Sequence, residues 1–285
     1  MDFQTPEILK IIDLCLAEDV GDGDHSSLGA MSHTTVGISN IYFKANGLLA
    51  GLDLAEVICQ RIDSTIDFVK KASDGDFIKN GTIIATVKGS AQSLLKAERL
   101  LLNFMQRMSG IATTTFYAVQ EVKDTKVKLL DTRKTTPGLR VLEKYAVKVG
   151  GGYNHRFGLF DMVMLKDNHN DSAGSITQAV GNTVKYLKEK GLNLKIEVET
   201  RNLKEINEAL ATGKVDRIML DNFSSQDCKE ALIIIDKQCE TEASGGINMV
   251  NLREYALTGV DYISLGFLTH SFSSIDISMK TKVLK

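Results

Sequence analysis

Between Thr132 and Arg156 the chain carries six Lys or Arg residues against a single acid, Glu143, although its overall net charge is only −2. Lys144 and Lys148 stand four apart and fit the solvated face of a helix. Arg133, Lys134, His155 and Arg156 fall instead at the ends of elements, where an anion site accounts for them better. Lys166 adds another cation, and an Arg side chain suits a carboxylate because its fork donates two parallel hydrogen bonds. Glu199 and Asp221 supply opposing carboxylates at the ends of two further apolar runs. Ser244-Gly245-Gly246 comes just before a helix, leaving backbone N–H groups to cradle a phosphate. Together these groups ask for a polyanionic ligand set with a phosphate, a carboxylate and a divalent cation. Each has a plainer reading: Gly-Gly as a turn, a strand-end acid as an ion-pair partner, Gly150-Gly151-Gly152 as a helix stop. Gathered in one place, however, the plain readings would leave a concentration of buried charge that is costly unless paired.

The elements that must position these residues alternate. From Lys128 onward, apolar strand candidates recur at 128–134, 161–169, 194–200, 217–223 and 262–267, with a weaker one at 239–246. Helices are expected between them at 137–149, 173–190, 202–212, 225–238 and 248–258, with Gly213 and Gly259 as stops. Strand and helix alternating at this spacing imply parallel strands with helical crossovers, which a doubly wound sheet and a barrel both satisfy. The barrel is favoured because the polar and glycine residues sit at the strands' C-terminal ends, which a barrel gathers into one mouth.

The first third reads differently. Thr5 as N-cap, Pro6, Glu7 and the apolar Ile8, Ile11, Ile12, Cys15 and Leu16 predict an opening helix that stops at the loop 18–24. Strand-like runs follow at 41–45 and 82–89 around a helix at 53–62, and a long helix begins near Ala91. The expected division is an α+β domain over residues 1–108 and a catalytic α/β domain over 109–273. The alternating tail 275–279 is a strand that can return to the first domain.

Composition narrows the class. With 43% apolar and 25% charged residues the chain reads as an ordinary globular protein. No apolar run approaches the roughly 18 residues of a membrane span, and the start shows neither the basic nor the apolar region of a signal peptide. A cytoplasmic protein is expected. The net charge of −2 and the lack of stacking aromatics within 132–156 argue against nucleic acid. Cys15, Cys59, Cys228 and Cys239 are scattered among apolar residues, as buried thiols rather than metal ligands or nucleophiles.

The stretch DTRKTTPGLRVLEKYAVKVGGGYNHRFGLFDMVMLKDNH (131–169) strongly resembles the signature of nicotinate-nucleotide pyrophosphorylase, also called quinolinate phosphoribosyltransferase. The resemblance extends to LAEDVGDGD (16–24), AERLLLNFMQRMSGIAT (97–113), IEVET (196–200), IMLDNF (218–223), EASGGI (242–247) and GVDYISLGFLTHS (259–271), so motifs span nearly the whole chain in order. It implies transfer of a phosphoribosyl group from phosphoribosyl pyrophosphate to quinolinate with loss of carbon dioxide, giving nicotinate mononucleotide for NAD synthesis. It also implies Mg²⁺, an N-terminal α/β sandwich followed by an incomplete α/β barrel, and a homodimer or assembly of dimers.

Residue by residue, the resemblance assigns Arg133, His155 and Arg156 to the quinolinate carboxylates, and Lys134 and Lys166 to the reacting centre and phosphates. Glu199 and Asp221 match acids that face the ribose and its metal. Ser244, Gly245, Gly246 and Gly266 match the phosphate cradle, and Arg99 an arginine that reaches into the partner subunit's site. Phe267, where relatives often carry a small residue, and His25-Ser26-Ser27 depart from the commoner pattern. Rival readings are a paralogue that takes nicotinate without decarboxylation, an inactive phosphate-binding barrel, and a nucleic-acid binder.

Overall fold

The computed structural model describes residues 1–284. Its strands in chain order are β1 (Val36–Phe43), β2 (Gly47–Leu48), β3 (Asp67–Lys70), β4 (Phe77–Ile78), β5 (Thr82–Ser90), β6 (Lys128–Leu130), β7 (Val163–Leu165), β8 (Ile196–Thr200), β9 (Arg217–Asp221), β10 (Glu240–Ser244), β11 (Tyr262–Ser264) and β12 (Ile277–Val283). They divide between two compact units. The first comprises Met1–Phe116, Thr135–Gly151 and Ser271–Lys285, and the second Tyr117–Lys134 and Gly152–His270.

In the first unit an antiparallel sheet runs β12-β1-β5-β3. β1 alternates buried and part-exposed side chains, placing Ser39, Ile41 and Phe43 on the inner face. The tail does return here: β12 pairs with β1, Ile41 opposite Met279. The opening helix spans Pro6–Val20, buries Ile8 and Ile12, and ends at Gly21, three residues into the expected loop. Asp24 then caps a short helix, His25–Ala30, in a stretch to which the sequence assigns no element. That helix holds the variant His25-Ser26-Ser27.

The long helix, Ala91–Glu121, buries Leu94, Ala97, Leu101, Met105 and Met108 at three- and four-residue spacing. Gly110 on it is required by packing, since a Cβ there would sit 2.4 Å from the Ser273 carbonyl oxygen.

The helix Arg140–Val149, expected as a barrel crossover, belongs to the first unit. Two buried polar contacts tie it there. Glu143, 1% exposed, accepts from Arg107 Nε at 3.0 Å. The Tyr145 hydroxyl donates to Asp74 at 2.8 Å. Asp74 also accepts the Gly51 and Leu52 N–H groups at 2.8 and 2.9 Å, capping the helix Leu52–Ile62 from a distance.

The second unit is a six-stranded parallel sheet in the order β6-β11-β10-β9-β8-β7. The central strands β8 and β9 are almost wholly buried, as expected when helices cover a parallel sheet. Its two edges, β6 and β7, are its first two strands in sequence, and among the described residues no ladder joins them. The result is an open α/β barrel. Tyr153 partly lines the gap by bridging Leu130 of β6.

Several strands are shorter than expected because the chain turns into a helix at once: β7 ends at Leu165, and Asp167–Ala173 is helical. The helix expected at 173–190 is broken at Gly174-Ser175, where Gly174 adopts φ +98° and Ser175 caps Ile176–Lys190 by accepting from Gln178 N–H.

Candidate active site

The C-terminal ends of the six strands surround a cavity of about 600 Å³. Its wall contains Arg133, Lys134, His155, Arg156, Lys166, Glu199, Asp221, Ser244, Gly245 and Gly246, the cations, acids and phosphate turn expected to share one mouth. Each arrives there by strand direction. β8 puts Glu199 one residue from its end, β9 ends on Asp221 and β10 on Ser244.

Glu199 is 8% exposed, and its Oε2 accepts from Lys166 Nζ at 2.5 Å. The pair faces the cavity with its charge balanced. Asp221 accepts from Asn222 Nδ2 at 2.7 Å, and Asn222 itself sits at φ +56° with its N–H on the Ser244 carbonyl at 2.9 Å. That turn lies against Gly245, φ +91°, where a Cβ would meet Asn222 Oδ1 at 2.3 Å. Any side chain at Gly245 must displace Asn222 from beneath the phosphate turn.

The Lys134 N–H donates to Thr132 Oγ1 at 3.0 Å, and the Thr269 hydroxyl donates to the Lys134 carbonyl at 2.9 Å, so its backbone is held from both sides. Gly266 does not line the cavity. It supports it, because a Cβ there would stand 3.1 Å from Lys134 Cδ and crowd the lysine stem. Phe267 opens the short helix Phe267–His270 and is also absent from the wall.

Arg156 is half-buried and donates to the Met162 carbonyl at 3.2 Å. Burial and the charge of Arg133 both hold its pKa below the usual guanidinium value. The carboxylates of Glu197 and Asp161 pull it the other way.

Beneath the mouth lies a charged layer that the sequence reading did not assign. Glu197 and Glu242 are both 0% exposed, and His155 Nε2 lies 3.1 Å from the first and 3.4 Å from the second. Arg217 Nη1 donates to Glu242 at 2.8 Å. Burial and the neighbouring Glu242 carboxylate raise the pKa of Glu197. Burial acts against Glu242 as well, but His155 and Arg217 hold its pKa below the ordinary carboxylate value.

Burial likewise disfavours a charge on His155, yet the two carboxylates beside it push its pKa up to about 9. Opposing that charge, His155 Nδ1 accepts the Arg156 N–H at 2.7 Å, which requires the lone pair an imidazolium lacks. The hydrogen bond is the more specific constraint, and it places the ring proton on Nε2. Asp131, 0% exposed, accepts from the His155 N–H at 2.9 Å and from Asn154 Nδ2 at 2.6 Å.

Period-two alternation was the available signal for this layer. Glu197 with Glu199, and Glu242 with Ser244, must share a face. Thr132, Met164, Met219, Asn222, Glu242 and Ser264 complete the wall.

Arg99 is not among the residues that line this cavity. It is exposed in the first unit, lining a hollow of about 210 Å³ with Glu18, Asp19 and Asn103. The four cysteines are free and none lines the cavity. Burial pushes the Cys59 thiol up to about 12, so it is not a nucleophile.

Comparison with known proteins agrees over the whole chain. The quinolinate phosphoribosyl transferase N-terminal domain matches residues 29–109 and the C-terminal domain residues 111–280. The family division thus falls near residue 110, whereas the compact units assign Thr135–Gly151 to the first. The chain is 42% identical to the probable nicotinate-nucleotide pyrophosphorylase [carboxylating] of Bacillus subtilis, over 96% of this chain and 93% of that one. It is 42% identical to the chloroplastic enzyme of Arabidopsis thaliana, over 97% and 83%. The crystal structure of NadC from Streptococcus pyogenes superposes with a TM-score of 0.95 at 39% identity, covering 100% of both chains.

Proposed function

The chain belongs to the quinolinate phosphoribosyltransferase family, and from that premise we propose how its barrel mouth performs the family reaction. The enzyme transfers the phosphoribosyl group of phosphoribosyl pyrophosphate to the ring nitrogen of quinolinate. Pyrophosphate and carbon dioxide leave, and nicotinate mononucleotide remains as a step in NAD synthesis. The observation that carries this reading is the union, in one cavity, of four cations with Glu199, Asp221 and the Ser244-Gly245-Gly246 turn.

Arg133 and Arg156 clamp the carboxylates of quinolinate. A single carboxylate would not need so many cations, which favours quinolinate over nicotinate as the acceptor. The backbone N–H groups after Ser244 hold the ribose phosphate. Lys134, its stem packed on Gly266, faces the departing pyrophosphate. As that bond breaks, positive charge grows on the ribose, and Glu199 and Asp221 are the carboxylates placed to stabilise it. Lys166 neutralises Glu199 before substrate binds and is then available to the reacting centre.

The donor set fits Mg²⁺, since Glu199, Asp221 and Ser244 offer hard oxygen atoms and this ion favours one or two carboxylates plus substrate phosphates. Glu199 and Asp221 would hold it, directly or through water, and its charge would offset that of the leaving pyrophosphate. Once the ring nitrogen is alkylated, the cationic ring stabilises the electron pair that departing carbon dioxide leaves on its carbon, and a proton then takes the place of the lost carboxylate. The protein's part in that step is to grip the retained carboxylate and exclude water.

The remaining assignments are also part of this proposal. A homodimer, or an assembly of dimers, would let exposed Arg99 serve a partner's mouth. A cytoplasmic setting agrees with four free thiols, and among the described residues no helix is long and apolar enough to cross a membrane.

The test is carbon dioxide release from carboxyl-labelled quinolinate with phosphoribosyl pyrophosphate and Mg²⁺, each omitted in turn. Release that needs all three is the expected result. Pyrophosphate release with nicotinate, and none with quinolinate, would replace this reading with the non-decarboxylating one.

A further inference from the structure

We propose that Asp131 is a positioning residue that sets the spacing between Arg133 and Arg156, through the hydrogen bonds it accepts from Asn154 and His155. The proposal rests on the quinolinate-transferring reading above and concerns how the two arginines of that acceptor clamp are held.

The arginines come from separate stretches of the second unit, and neither stands within a strand. Arg133 follows β6, and Arg156 follows Tyr153, which bridges Leu130 of that strand. A fork that grips a carboxylate by two bonds does so only while the backbone delivering it keeps its place.

Main-chain bonds begin the joint. The Tyr153 N–H donates to the Leu129 carbonyl at 2.8 Å, and the Asp131 N–H donates to the Tyr153 carbonyl at 3.0 Å. The Asp131 side chain then extends it. Its Oδ1 accepts the His155 N–H at 2.9 Å, and its Oδ2 accepts from Asn154 Nδ2 at 2.6 Å. A buried carboxylate is costly unless its oxygens are met. Here consecutive residues of one segment meet both.

One carboxylate thus pins the chain two residues before Arg133 to the chain one residue before Arg156. Asp131 is fully buried and absent from the cavity wall, so it shapes the clamp without touching what the clamp holds. Lys134 has support of its own: its N–H donates to Thr132, and its carbonyl accepts from Thr269. Losing the Asp131 bonds therefore loosens the hold on the acceptor and spares the side that faces pyrophosphate.

Two substitutions separate hydrogen bonding from charge. Asp131→Ala removes both acceptors. Asp131→Asn keeps an acceptor for the His155 N–H, and a turned Asn154 amide restores the second bond. If Asp131 positions the clamp, the KM for quinolinate rises about tenfold or more in the Ala variant, the size of one lost hydrogen bond to a charged group, and less than about threefold in the Asn variant. The KM for phosphoribosyl pyrophosphate stays at the wild-type value in both. A role in stability alone would lower the active fraction, and with it kcat, and leave both KM values unmoved; that result would overturn the proposal. Equal losses in the two variants would overturn it too, because the charge rather than the bonds would then matter.

Should Asp131→Ala fail to fold, Asn154→Ala carries the test. It removes one of the two bonds and should raise the KM for quinolinate about fivefold. An unchanged KM would overturn the proposal. Absence of turnover in the wild-type enzyme would instead refute the reaction assignment, and hydrogen exchange across 153–156 would then read the tether. Faster exchange in Asn154→Ala than in the wild type is expected, and equal exchange would overturn the proposal.

Discussion

The barrel has two hollows of nearly equal size at opposite ends of its strands, and only one has the chemistry of a site. The mouth at the C-terminal ends holds about 600 Å³, and the hollow at the N-terminal ends, lined by Lys195, Asp216, Glu240 and Asp261, about 580 Å³. Both are rich in charge. At the N-terminal end most of that charge, Lys237 excepted, is spent internally: Lys195 and Arg217 meet Glu240 at 3.2 and 3.1 Å, Asp216 accepts the Ile196 N–H, and Asp261 accepts from both N–H and hydroxyl of Thr241. At the mouth, Arg133, Lys134, Arg156 and Lys166 share one wall with Glu199, Asp221 and the Ser244-Gly245-Gly246 turn. Volume does not distinguish the two ends. Cations gathered beside a phosphate turn do.

The comparison breaks first at Arg133. Arg133→Ala should lower kcat/KM for quinolinate by about thirtyfold or more, as when one partner of a desolvated charge pair is removed. Steady-state pyrophosphate release reads this, and near-normal turnover would remove the arginine from the clamp.

The next effect is on stability. Arg217→Ala leaves Glu242 as an uncompensated charge in the barrel interior and should cost about 3–5 kcal/mol, measured by denaturant unfolding. A loss below about 1 kcal/mol would mean that water reaches this layer and that its charges are not buried as described above.

The smallest effect is expected at the other end. Lys195 is 57% exposed, so Lys195→Ala should change stability by less than about 1 kcal/mol and leave kinetics as they were. Impaired turnover would show that the two ends are not separable.

Much of this contrast was legible in the sequence. Polar residues closing successive apolar runs located the mouth, because parallel strands separated by helices can only point those ends one way. The cation cluster and the Ser244-Gly245-Gly246 turn were visible for the same local reason. What stayed hidden depends on partners distant in sequence. Arg217, Glu240 and Glu242 alternate like residues facing solvent, and only the register of β9 against β10 shows that they face each other indoors.

The helix Arg140–Val149 carries the periodicity of a crossover, and nothing local in it says that Arg107 and Asp74 will draw it into the other unit. The strands β2, β3 and β4 are too short to show a period. The roles of Arg99 and of the cavity residues came from resemblance.

Hydrogen exchange measured by mass spectrometry, with and without phosphoribosyl pyrophosphate and Mg²⁺, tests the central claim most directly. Slowed exchange in peptides covering 131–134 and 244–246, with no change across 237–240, is the result this account predicts. Protection at 237–240 with the mouth unaffected would contradict it.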